Sequence, residues 1–140
     1  SMMAVEQIAK AKGIVIQNNN VFDFELHYDK DRILQVFINL LSNAIKFCSA
    51  NEGLILIDCT LENDYLETSI TDNGLGISSE DIEYVFDKFY QSKDQNTKKP
   101  EGSGLGLAIS KQIIERHQGE IWVDKAKKTG AKFVFTLPFK

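Results

Sequence analysis

Two runs between Leu54 and Thr71 alternate in side-chain character, with Ile55, Ile57, Cys59 and Leu61 in step in the first and Leu66, Thr68 and Ile70 in the second. Asn63-Asp64 lies between them. A period of two belongs to strands, and two such runs around a tight turn form an antiparallel hairpin with one apolar face. A hairpin alone is marginal in water, so that face has to be covered. This requirement limits the fold more than any other feature of the chain.

The covering elements can be read from the same sequence. Asp31 to about Cys48 has helical spacing, apolar at Ile33, Phe37, Leu40, Leu41, Ala44 and Cys48. A second helix opens at Gly102–Gly106 and runs to about Gln118, apolar at Leu105, Ala108, Ile109 and Ile113, with Gly119 as its C-terminal cap. Shorter helices are expected at Ala4–Lys12, stopped by Gly13, and from Ser79 to about Tyr84, capped by Ser78 or Ser79. Further strands are expected at Ile14–Gln17, Val21–Leu26, Ile121–Asp124 and Lys132–Leu137, the last two around Thr129-Gly130. The expected class is α+β: a two-layer sandwich with three main helices on one face of a mixed, mostly antiparallel sheet of five or six strands.

With 140 residues the chain suits one domain, and 43% hydrophobic content with nine Phe and four Tyr gives it core material. A net charge of −4 supplies no field for nucleic acid or anionic lipid. Two Cys and two His, with no Cys-x-x-Cys, argue against a disulfide scaffold or structural zinc. With neither a membrane-length apolar run nor a signal-like start, the reading is a cytoplasmic domain without membrane insertion, from a parent that is soluble or membrane-anchored. Residues 1–3 read as the remnant of a cleaved tag, 4–12 as the end of a linker or dimerisation helix, and 13–140 as the functional domain.

Three places carry chemistry. On the Asp31–Cys48 helix, Arg32, Gln35, Asn43 and Lys46 fall within about 40° of Asn39, a polar stripe across an apolar helix. Most such stripes are solvated faces, but Asn is a poor helix former, its carbonyl can hold Mg²⁺, and Lys can meet a phosphate. Asp72-Asn73-Gly74-Leu75-Gly76-Ile77 follows the second hairpin strand. Its composition suits a turn, yet the alternation carries Asp72 onto one sheet face, where a carboxylate can accept from an exocyclic amine such as that of adenine. Gly102-Ser103-Gly104-Leu105-Gly106 opens a helix, where free N–H groups favour an anion. It is neither a dinucleotide fingerprint nor a P-loop, because Leu107 stands where a third Gly belongs and no Gly-Lys-Ser/Thr follows.

In this order, with Phe86-Asp87-Lys88-Phe89-Tyr90 between them, these segments resemble the N, G1, F and G2 boxes of the catalytic ATP-binding domain of sensor histidine kinases. That domain belongs to the Bergerat-fold superfamily, with gyrase, heat-shock chaperone and mismatch-repair ATPases. The resemblance runs from about residue 13 to the C-terminus. It implies that Asn43 ligates Mg²⁺, that Asn39 supports the metal or the phosphates, and that Lys46 contacts phosphate, which makes Asn39 and Lys46 the catalytic candidates. Phe47 would line the base or ribose where Tyr is commoner. Asp72 would bind the adenine amine in a pocket shaped by Gly74, Gly76 and Ile77. Ser103, Gly104, Leu105 and Gly106 would contact phosphates, and residues 91–101 would form the ATP lid. Phe86 and Phe89 would anchor that lid, Phe89 bordering the nucleotide.

Two departures refine this. Gln91 stands where many relatives carry Arg, leaving Lys88 or the lid residues Lys93, Lys98 and Lys99 as the nearby cations. Asn39 occupies the place of the ATPases' Glu general base, and a neutral amide cannot take a proton from water. The resemblance therefore implies a kinase that passes the γ-phosphoryl group of Mg-ATP to a His on a separate dimerisation domain of the parent, in cis or in trans, with a response regulator downstream. Neither His27 nor His117 lies in an acceptor motif. The alternatives are a protein-serine kinase of the anti-sigma type and a degenerate nucleotide-binding regulatory module.

Overall fold

The computed structural model describes residues 2–19, 30–47, 53–62, 64–74, 76, 82–87, 106–124 and 130–138. In chain order they form α1 (Met2–Ala11), β1 (Val15–Asn19), α2 (Lys30–Phe47), β2 (Leu54–Leu61), β3 (Tyr65–Asp72), a 3-10 turn at Ile82–Tyr84, α3 (Gly106–Arg116), β4 (Ile121–Val123) and β5 (Lys132–Pro138). The strand expected at Val21–Leu26, the cap at Ser78 or Ser79, and the segment 91–101 lie outside the described residues.

The hairpin forms as its alternation requires: β2 and β3 pair antiparallel, with Ile57 opposite Ile70 and Cys59 opposite Thr68. β5 lines the other side of β3, Phe133 opposite Ile70 and Phe135 opposite Thr68, and β4 pairs antiparallel with β5. β1 pairs with β2 in parallel. A parallel step needs a crossover, and α2 lies in the connection between those strands. The result is a mixed five-stranded sheet in the order β1-β2-β3-β5-β4.

One face of that sheet makes the core. Ile55, Ile57, Ile70, Phe133, Phe135 and Leu137 pack with Val36, Leu40, Leu41 and Ala44 of α2 and with Ile113 and Ile114 of α3. Phe37 meets Phe135 edge-on with ring centroids 5.4 Å apart, and Phe86 meets Phe133 likewise at 6.1 Å. Edge-to-face contact is a favoured geometry for aromatic pairs. Truncating a side chain as enclosed as Leu41 to Ala removes about 2–5 kcal/mol.

Two expectations for α3 need correction. Ile109 is 40% exposed, whereas Ile114, outside the expected stripe, is fully enclosed. The helix is turned because its inward face is Ser110, Ile113 and Ile114, at the i, i+3, i+4 spacing of one helical face, and the Ser110 hydroxyl is bonded within its own first turn. The cap also differs: Gln118, not Gly119, takes the left-handed conformation, with φ 64°. The Gly119 and Gln118 amides donate to the Ile114 and Glu115 carbonyls, which closes the helix. Glycine at 119 serves a close approach, since a Cβ there would lie 1.9 Å from the Thr136 carbonyl oxygen.

Candidate functional site

At the end of β3 the alternation delivers Asp72 to the core face, where only 3% of it is exposed. A carboxylate buried this far needs hydrogen bonds. Its Oδ1 accepts the Gly74 N–H at 2.8 Å and the Ala131 N–H at 3.3 Å. In return the Asp72 N–H donates to the Ala131 carbonyl at 2.9 Å, so the two residues clasp each other. An ionised carboxylate accepts about four hydrogen bonds, and the two on Oδ1 do not by themselves exhaust it.

Glycines make this rim possible. A Cβ on Gly130 would fall 1.9 Å from the Asp72 carbonyl oxygen, and one on Gly76 would fall 2.7 Å from the Gly130 carbonyl oxygen. Both residues have the positive φ that other side chains disfavour, 72° and 78°. Gly130 and Ala131 were missed as site residues. No local pattern marks them: it is the β3–β5 register, pairing Thr71 with Lys132, that puts Ala131 beside Asp72. Asn73 fastens the same rim from the other side by accepting the Leu54 N–H at 3.0 Å.

The polar stripe of α2 is not a uniformly solvated face: Arg32, Gln35 and Lys46 are exposed, but Asn39 and Asn43 are half-buried. Asn39 Nδ2 donates to the Gly106 carbonyl at 3.0 Å and to Ser110 Oγ at 3.2 Å, and its Oδ1 accepts from Gln35 Nε2 at 2.8 Å. The sequence reading missed Ser110, a fully buried hydroxyl whose only sequence signal is its place one turn into α3. One turn beyond Asn39, the Asn43 amide makes no hydrogen bond among the described residues. Its carbonyl is the kind of hard oxygen donor that suits Mg²⁺. Among the described residues no three His, Cys, Asp or Glu side chains converge on a point.

Phe86 packs on Phe133, and Lys111 Nζ sits 6.0 Å from its ring centroid; the segment that Phe86 is expected to anchor lies outside the described residues. His117 Nδ1 lies 2.7 Å from the Ile113 carbonyl, a helix-end contact. Burial pushes the Cys59 thiol up, against the smaller opposing effect of its Thr68 hydrogen bond, and the nearby Asp58 raises it further. No described helix is long and apolar enough to cross a membrane. Ile77, Phe89, Ser103, Gly104, Leu105, His27, Lys88, Gln91 and the lid lysines lie outside the described residues, as does the Phe47 side chain.

Three comparisons bear on this arrangement. The model of the family described as histidine kinase-, DNA gyrase B-, and HSP90-like ATPase matches residues 28–140. The sensor histidine kinase WalK of Bacillus subtilis (strain 168) is 40% identical over 119 residues, which is 84% of this chain and 20% of WalK. The chain thus spans about a fifth of that relative's length. Among solved structures, the mycobacterial sensor histidine kinase MprB superposes with a TM-score of 0.84 at 28% identity, covering 98% of this chain and 95% of that one. Histidine kinase ThkA, in complex with the response regulator protein TrrA, superposes at 0.79 with 28% identity, covering 99% of this chain and 38% of that one.

Proposed function

The chain belongs to the histidine kinase-, DNA gyrase B- and HSP90-like ATPase family, and from that membership we propose that it is the ATP-binding catalytic domain of a sensor histidine kinase, which presents the γ-phosphoryl group to a histidine on a separate dimerisation domain. The observation that carries this reading is Asp72: a buried carboxylate held on Oδ1 by two backbone amides and ringed by glycines. Such a group is aimed, and it suits the amine of adenine. Sensor-kinase relatives and neighbours favour a histidine acceptor over the anti-sigma type of serine kinase.

In this reading Asp72 accepts from the adenine amine, while Gly76 and Gly130 keep side chains off the rim. Gly106, with Ser103, Gly104 and Leu105 before it, offers backbone N–H groups to the phosphates at the start of α3, and the helix dipole favours their charge. Asn43 would hold Mg²⁺, and Lys46, in the last turn of α2, would approach the same phosphates. When bound, Mg²⁺ supplies charge neutralisation on the phosphate oxygens. Asn39 would support the site from α2, its Nδ2 donating to the Gly106 carbonyl and to Ser110 Oγ while its Oδ1 accepts from Gln35. Residues 91–101 would close over the nucleotide. Positioning supplies most of the rate in phosphoryl transfer, and these groups position. A response regulator, the kind of partner with which ThkA is solved, would take the phosphoryl group from the dimerisation domain.

The test is incubation with radiolabelled ATP. This chain alone should bind Mg-ATP, hydrolyse it very slowly and acquire no acid-labile phosphate, because the neutral amide of Asn39 stands where the ATPases carry a general base and neither His27 nor His117 lies in an acceptor motif. With the parent's dimerisation domain added, phosphohistidine should appear on that partner. Rapid phosphate release, or label on this chain, would reject the reading.

A further inference from the structure

We propose that Ser110 is a positioning residue for the phosphates: with Asn39 and Gln35 it forms a one-way hydrogen-bond chain that fixes the first turn of α3 against α2. The inference rests on the nucleotide reading above, and it adds a residue and a device that the sequence motifs do not include.

The direction of the chain follows from elementary donor rules. The Gly106 carbonyl can only accept, so Asn39 must turn Nδ2 toward it, and the 3.0 Å contact has that sense. This leaves Asn39 Oδ1 on the opposite side, where Gln35 must offer its Nε2, as it does at 2.8 Å. The Ser110 hydroxyl donates to the same Gly106 carbonyl at 2.9 Å, so its lone pairs face Asn39 Nδ2 at 3.2 Å. Each group has one consistent role, and no rotated amide satisfies all four bonds. The converging point is the carbonyl of the residue that opens α3.

That point is where position matters. Gly106 ends the glycine-rich segment, and Asn39 lies one turn before Asn43 on α2. A shift of α3 relative to α2 would therefore change the distance between the backbone N–H groups that take the phosphates and the amide that takes the metal. Apolar packing by Ile113 and Ile114 holds the later turns of α3, while at the first turn the fully buried side chains are the small Ala108 and Ser110, with Leu107 half-buried against the core. Leu107 holds the turn to the core without direction, and the polar chain, whose bonds are directional, sets the register against α2. Ser110 does this without exposed surface, as a residue acting through others does.

The experiment compares Ser110→Ala and Gln35→Ala with the parent chain. Alanine favours helix and fits within the Ser110 site, and Gln35 is exposed, so both variants should fold. Affinities for adenosine and for a non-hydrolysable ATP analogue with Mg²⁺ are measured by titration. Adenosine reads the Asp72 end alone. Ser110→Ala is expected to weaken the analogue about fivefold to tenfold and adenosine less than twofold. Gln35→Ala should weaken the analogue about twofold to fivefold, and Ser110→Cys, which keeps a weak donor, should fall between parent and Ser110→Ala. Equal weakening of both ligands, or a lowered melting temperature with an unchanged affinity ratio, would make Ser110 a structural residue only and overturn the proposal. Failure of the parent to bind either ligand would reject the nucleotide reading itself, a separate result.

Discussion

Two ends of the same site are built by opposite means. At the sheet rim, Asp72, Gly76 and Gly130 are held by backbone packed on backbone: a Cβ on Gly130 would come within 1.9 Å of the Asp72 carbonyl oxygen. At the start of α3, a Cβ on Gly106 would meet Asn39 Cγ at 3.7 Å, an ordinary contact, and the register is held by side-chain hydrogen bonds. The contrast matches what each end is read to recognise. A flat base with one amine suits a rim of close-packed backbone, whereas phosphates and a metal suit donors on two helices whose spacing directional side-chain bonds set.

The largest effect should come from the rim. Gly130→Ala combines overpacking, worth about 1–3 kcal/mol, with a left-handed backbone that costs a Cβ about 1–2 kcal/mol. Urea unfolding should therefore show a loss of about 3 kcal/mol. Gly119→Ala sharpens this, because its Cβ would also strike a carbonyl at 1.9 Å, that of Thr136. Thr136 pairs with Glu67, at the far end of β3 from Asp72. Gly119→Ala should lose stability and keep ATP affinity in its folded fraction, while Gly130→Ala loses both. If Gly130→Ala stays within about 0.5 kcal/mol of the parent, the rim is not rigid.

Next in size is the base contact. Losing a hydrogen bond to a charged acceptor costs about 1.5–3 kcal/mol, roughly tenfold to a hundredfold in affinity. Calorimetric titration of Asp72→Ala should show that loss for ATP, and no comparable change for GTP, whose base offers no amine at that place. Equal ATP affinity in Asp72→Ala and the parent would move base recognition elsewhere.

The hairpin and α2 were legible in the sequence because their apolar periods are long and uninterrupted: the β2–β3 register follows from Ile55 to Ile70 alone. Asp72 was found by the same parity. What escaped was tertiary. Gly130 looked like any turn glycine, since only the β3–β5 pairing puts it under Asp72. Ser110 looked polar and Ile109 apolar, so the stripe was centred on the wrong residue. A hydroxyl whose bonds are satisfied locally can be buried, and local patterning does not reveal which serine will be. Asn39 was placed correctly on the stripe, but its partners on α3 are 67 and 71 residues away. The segments before and after the F box carry no period to read.

The smallest predicted effect bears hardest on the comparison. Gly106 has no left-handed φ, and alanine is favoured over glycine in a helix, so Gly106→Ala should leave the unliganded protein as stable as the parent or about 0.5 kcal/mol more stable. Its backbone N–H survives the change, and the new methyl is directed at Asn39. ATP-analogue affinity should then stay within about threefold of the parent, since contacts made by a backbone do not depend on the side chain it carries. Thermal unfolding and the same titration measure both. A loss of more than about 1 kcal/mol without nucleotide would mean that the start of α3 is packed as tightly as the rim, and the two ends would no longer differ in kind. Intact stability with affinity lost more than tenfold would instead place the phosphates within reach of the Gly106 Cα, so that its glycine, like Gly130, answers to a close approach, there by the ligand.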